Sequence, residues 1–94
     1  MSPLFQSRLL MPLLEAIRRQ LGAGESAAFN ATPAGSPYIE AHTERGSMIA
    51  AINAEGQYMF DSPGGLYACD PHATKDIICN TIRQALNDAR EEWA

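Results

Sequence analysis

The sequence predicts an α+β domain, a two-layer sandwich with an N-terminal helix, an antiparallel β-meander of three to five strands and a C-terminal helix. Three observations predict it. Between Tyr38 and Cys69, four short apolar runs alternate with glycine-bearing turns, the pattern of consecutive hairpins. Ahead of that stretch, Leu10, Leu14, Ile17 and Leu21 recur at helical spacing, flanked by Leu13. Behind it, Ile78, Ile82, Ala85, Leu86, Ala89 and Trp93 make a second stripe, with Asp76, Asn80, Arg83, Gln84, Asn87 and Glu91 on the opposite side.

The first helix is expected over residues 2 to 22. Ser2-Pro3 suits an N-cap and first helical position, and Gly22 suits a left-handed stop after Leu21. Arg18 and Arg19 complement the negative end of the helix dipole. Pro12 removes one helical hydrogen bond, but it falls opposite the apolar stripe, beside Arg8, Glu15 and Arg19, where water solvates the freed carbonyl. The alternative is a regular helix that begins near Leu9 after a separate turn. Residues 22 to 37, rich in Ala, Gly, Ser and Pro, form a loose connection with one short edge strand, Ala27 to Ala31, anchored by Phe29.

Residues 38 to 69 form the meander. Thr43-Glu44-Arg45-Gly46-Ser47 and Asn53-Ala54-Glu55-Gly56-Gln57 share one pattern, a type I turn followed by a glycine at φ > 0. That loop pairs Thr43 with Ser47 and Asn53 with Gln57. One sheet face then carries Tyr38, Glu40, His42, Met48, Ala50, Ile52, Tyr58 and Phe60, and its apolar bulk places it under the helices. The other carries an aliphatic centre of Ile39, Ile49, Ala51 and Met59 with polar residues towards its ends. A solvated face alternates to polar residues throughout, so this centre calls for cover. Asp61-Ser62-Pro63-Gly64-Gly65 is a third turn and Leu66 to Cys69 the last strand. The final helix spans 71 to 93, capped by Asp70-Pro71 or, alternatively, by Thr74.

A chain of 94 residues is one domain, and an apolar fraction of 46% argues against disorder. Seven basic residues against eleven acidic ones give a net charge of −4, which disfavours nucleic acid and anionic membranes. Helix, strands, helix is also the element order of double-stranded-RNA-binding domains. The start of the last helix, however, holds Lys75 alone beside Asp70 and Asp76, too little charge to clasp phosphates. No apolar run is long enough to span a bilayer, and no basic segment precedes the first one. Two cysteines are too few for a disulfide scaffold, so the expectation is a cytoplasmic protein with free thiols.

Chemistry-bearing residues are sparse. Cys69, His72, Cys79 and His42 would supply a four-ligand zinc set, and Cys69 before a helix N-terminus would offer a low-pKa thiol with His72 as base. Only one close pair exists among them, and no oxyanion-hole loop accompanies it. No catalytic residue, metal or cofactor is therefore expected; a cysteine/histidine enzyme or zinc module is the alternative. Ser62-Pro63-Gly64-Gly65 lacks the Lys-Ser/Thr of a phosphate loop and reads as a hairpin turn. Tyr38, Tyr58, Phe60 and Tyr67 read as core aromatics rather than base-stacking platforms, since no basic groove accompanies them.

Two features point to interaction. One is the aliphatic centre Ile39, Ile49, Ala51 and Met59. The other is Asp88, Glu91 and Glu92, whose carboxylates oppose the dipole at the end of the last helix and so favour a basic partner. The function expected is a small non-enzymatic protein–protein interaction module acting through an exposed sheet face and an acidic surface. Its partner is another protein or a second copy in a homodimer. Adaptors, assembly factors and phage-type inhibitors of host complexes, such as anti-CRISPR proteins, fall in that class.

Overall fold

Hydrophobic alternation along the strands and two apolar helical stripes together dictate the layering of this chain. The computed structural model describes residues 3–91, with side chains from Leu10 onward; the expected Ser2 cap, Glu92 and Trp93 lie outside the described residues. Helix α1 (Pro3–Arg18) leads into five strands, β1 (Ser26–Ala31), β2 (Pro37–His42), β3 (Ser47–Ile52), β4 (Tyr58–Ser62) and β5 (Gly65–Cys69), and helix α2 (Lys75–Arg90) follows. The strands form one antiparallel sheet in chain order. The expected α+β fold is the fold found, with the meander at its five-strand limit.

Both helices lie on one face of the sheet, α1 across β1, β2 and β3, and α2 across β3, β4 and β5. Leu10, Leu13, Leu14 and Ile17 of α1 meet Ile39, Ala41 and Ala27, while Ile82, Ala85, Leu86 and Ala89 of α2 bury Phe60, Ala50 and Met48 in the same core. Each fully buried Leu, Ile, Met or Phe side chain contributes about 1.5–3 kcal/mol. Helix α1 runs unbroken through Pro12, which is exposed, as expected for a proline opposite the apolar stripe. No helix among the described residues is long and apolar enough to cross a membrane.

The helix ends differ from expectation. Helix α1 stops at Arg18, and the left-handed glycine is Gly24 (φ 81°) rather than Gly22. Helix α2 begins at Lys75, with Thr74 as its N-cap accepting from the Ile77 amide, because Asp70 is engaged in a turn with His72 and Ala73.

The second hairpin has the expected register: Ala51 faces Met59, Ile52 faces Tyr58, and Gly56 (φ 83°) takes the left-handed position. The first hairpin does not. His42, not Thr43, faces Ser47, and Ala41 faces Met48. A shift of one residue exchanges the faces of a strand, so Ile39 and Ala41 point into the core and Tyr38, Glu40 and His42 point away. Gly46 explains the difference, since it does not take a positive φ. A Cβ there would lie 2.9 Å from the Ala89 carbonyl oxygen and 3.3 Å from Pro63 Cγ. The Thr43 hydroxyl accepts from the Arg45 and Gly46 amides and lies 3.1 Å from the same Ala89 oxygen. This turn is shaped by docking on the end of α2.

A clamp ties the same end of α2 to the α1–β1 connection. Arg90 donates from Nε and Nη2 to the two Glu25 carboxylate oxygens, each at 2.8 Å, and from Nη2 to the Gln20 carbonyl at 2.7 Å. The Glu25 side chain is only 10% exposed. The Arg90 hydrogen bonds, opposed by burial and helped by the Gly22 amide, hold the Glu25 carboxyl below its ordinary 4.5.

Two predictions follow from these contacts. Gly46→Ala should cost about 1–3 kcal/mol in urea unfolding through overpacking, and Gly56→Ala about 1–2 kcal/mol through its left-handed backbone. Asparagine, which tolerates that backbone, should outperform alanine at 56 but not at 46. Equal rescue at both positions would show that the two glycines serve the same purpose. For Glu25, a depressed folded pKa means stability that is present above the ordinary carboxylate pKa and lost as pH falls through the folded value. Glu25→Gln should cost about 1–2 kcal/mol at neutral pH, and its deficit should shrink on acidification. A deficit that stays constant with pH would refute the clamp.

Candidate functional site

With both helices on one side, the opposite face of the sheet is uncovered. Strand register composes it in rows. Ala28, Glu40, Ile49, Asp61 and Leu66 lie side by side across all five strands. Asn30, Tyr38, Ala51, Met59 and Ala68 make the neighbouring row. Ile49 is 41% exposed and Leu66 63% exposed, large apolar side chains in a row otherwise held by Glu40, Asp61 and a small alanine. Beside them, Thr32, Ser36, Pro37, Tyr38, Ile49 and Ala51 bound a shallow depression of about 480 Å³ at one end of the face.

The charged strand residues of this face, His42 apart, are carboxylates. None of the five strands contains a lysine or arginine. Glu40 is held in place by two neighbours: Asn30 Nδ2 donates to its Oε2 at 3.1 Å, and His42 Nε2 sits 3.3 Å from its Oε1. His42 Nδ1 also lies 3.0 Å from the Ser47 hydroxyl. Asp61 stands on the other side of Ile49 and is exposed.

The residues expected to make contact are divided by the structure. Ile49, Ala51 and Met59 do share the uncovered face. Ile39 does not; the register of the first hairpin places it in the core with no exposure. Asp88 is also withdrawn, 7% exposed, and accepts a 2.9 Å hydrogen bond from the Tyr67 hydroxyl. That bond, more than burial, raises the Tyr67 pKa. Glu91 is exposed at the C-cap of α2, and Glu92 lies outside the described residues. Tyr38, expected in the core, sits on the uncovered face. Leu66 was missed as a contact residue. The signal for it was available, because a two-residue turn at Pro63-Gly64 sets Leu66 opposite Asp61.

The cysteine and histidine residues are scattered. Cys69 points into the core from β5, and burial pushes its thiol pKa up, aided by Asp70 and opposed by a hydrogen bond with Thr81. The low-pKa thiol of the alternative cysteine-enzyme reading is not what the structure gives, because burial disfavours the thiolate. His42 lies on the open sheet face, His72 in the turn before α2, and Cys79 half-buried on α2. Among the described residues, no three His, Cys, Asp or Glu side chains are grouped so as to hold a metal ion.

No family model, no curated protein and no solved structure matches this chain.

Proposed function

We propose that this protein is a non-enzymatic interaction module whose uncovered sheet face docks on a basic, partly apolar surface of another protein. The observation that carries the reading is the row Glu40–Ile49–Asp61–Leu66, exposed apolar groups interleaved with carboxylates on a sheet without lysine or arginine. An apolar centre supplies contact area, and carboxylates at its flanks select arginine or lysine in the partner. A second copy is the weaker candidate. Two-fold pairing of this face with itself brings the carboxylates of Glu40 and Asp61 close to their own kind. Occlusion of a basic surface needs nothing beyond the face itself, which is how a small inhibitor of a host complex, of the phage type, would act.

The test combines capture with variants. Immobilised wild-type protein should retain partner proteins at low salt and release them in stepped salt washes. Ile49→Asp should weaken that retention at least about tenfold, ~1.4 kcal/mol, with little change in thermal midpoint because Ile49 is already exposed. Asp61→Arg should do the same through charge. Retention of the same proteins at the same salt by both variants would sink the proposal. A dimeric mass in solution that Ile49→Asp reduces to monomer would replace the basic partner by a second copy.

A further inference from the structure

On the other side of the molecule the two helices leave a recess between them. Its α1 wall is Leu13 and Ala16, three apart on one helical face, with Arg19 just past the end of the helix. Its α2 wall is Lys75, Ile78 and Cys79, with Arg83 one turn beyond. Tyr58 reaches it from the sheet beneath. The recess encloses about 420 Å³, within the range of small-molecule sites. Gln20 Nε2 donates to the Cys79 carbonyl at 3.0 Å and joins the two walls, which suits a bounded ligand rather than a through-running peptide.

The charge around this recess is the reverse of the chain's. Three of the seven basic residues of a −4 protein line it, against one carboxylate, Glu15. The Arg19 and Lys75 side chains make no hydrogen bond or ion pair among the described residues, and the Arg83 guanidinium bonds only Asn80 of its own helix. The first turn of α2 adds partial positive charge at the Lys75 end, which Asp76 offsets in part. All three cations are exposed and solvated, so they are open to an anionic head group at the rim of an apolar recess.

We infer that this interhelical recess binds a small amphiphilic carboxylate, with a hydrocarbon tail against Ala16, Ile78 and Cys79 and its head between Arg19 and Lys75. An acid with an unbranched tail fits both halves of the lining. A cationic amphiphile meets three like charges, and a neutral one leaves them unused. The site lies across the sheet from the proposed docking face and does not depend on it.

Decanoate, kept below its aggregation concentration, is the probe, with decylamine and decanol as counterparts of equal chain length. In 1H–15N spectra of the full chain, decanoate should give saturable shifts centred on Ala16, Ile78 and Cys79, and should slow alkylation of the Cys79 thiol. Decylamine and decanol should bind at least about tenfold more weakly. The exposed double variant Arg19→Glu/Lys75→Glu should weaken decanoate by a similar factor, and Ala16→Leu, which fills the recess and leaves the charges, should abolish it. Any of four results overturns the inference. They are no saturable decanoate binding, equal protection of Cys79 by decylamine, undiminished binding by the double variant, or shifts centred on Ile49 and Leu66.

Discussion

The contact on which the rest of this structure depends is the seat of the β2–β3 turn against the last turn of α2. Gly46 comes so close to the Ala89 carbonyl that a methyl group does not fit, and the Thr43 hydroxyl lies against the same oxygen. Free carbonyls at a helix C-terminus need partners, and this turn provides one. Its geometry sets His42 opposite Ser47. Every inward residue of β2 follows from that pairing, and so does the α1 packing on Ile39 and Ala41. The Arg90 clamp on Glu25 and Gln20 secures the other chain segment that reaches this helix end. One corner of the molecule thus coordinates α2, the first hairpin and the α1–β1 connection.

Placing both helices on one face has an electrostatic consequence. The described lysine and arginine side chains reside on the helices, just past the end of α1, and in the β2–β3 turn, while the strands carry carboxylates with His42 beside Glu40. A molecule of modest net charge therefore presents two unlike sides. The sheet side is apolar with acidic punctuation; the helix side has its cations gathered at a recess. Neither arrangement stabilises the fold. Exposed Ile49 and Leu66 forgo the burial that Ile39 and Leu86 enjoy, and Arg19 and Lys75 forgo the ion pair that Arg90 makes.

Much of this was legible in the residues. The helical stripes named the buried positions of α1 and α2 because 3.6-residue periodicity is a local property. The second hairpin was legible too, since Gly56 sits in an open turn where backbone conformation alone explains the glycine. Gly46 stands in a similar sequence pattern but answers to a neighbour forty-three positions along the chain, Ala89. Two physical reasons for one residue type are indistinguishable without coordinates, and that ambiguity moved Ile39 to the wrong face. Asp88 was misread for a related reason. Its place near a helix end suggested a surface charge, while its partner, Tyr67, comes from another element. Leu66, by contrast, needed only the alternation of β5 carried one turn further.

The composition of the uncovered row bears on what such a face admits. An aliphatic row on an uncovered sheet invites stacking with its own copy, and natural proteins blunt it with inward or flanking charge. Glu40 and Asp61 stand directly beside Ile49 on the two neighbouring strands, so any copy approaching this face meets two carboxylates around the contact it seeks. The Asn30 hydrogen bond holds Glu40 in that position. The same pair that repels a copy attracts arginine or lysine. Specificity is a difference of affinities, and a repulsive element against one partner is as informative as an attractive one for another. On the proposed reading of this face, Ile49 supplies area, and the two carboxylates decide what is allowed to cover it.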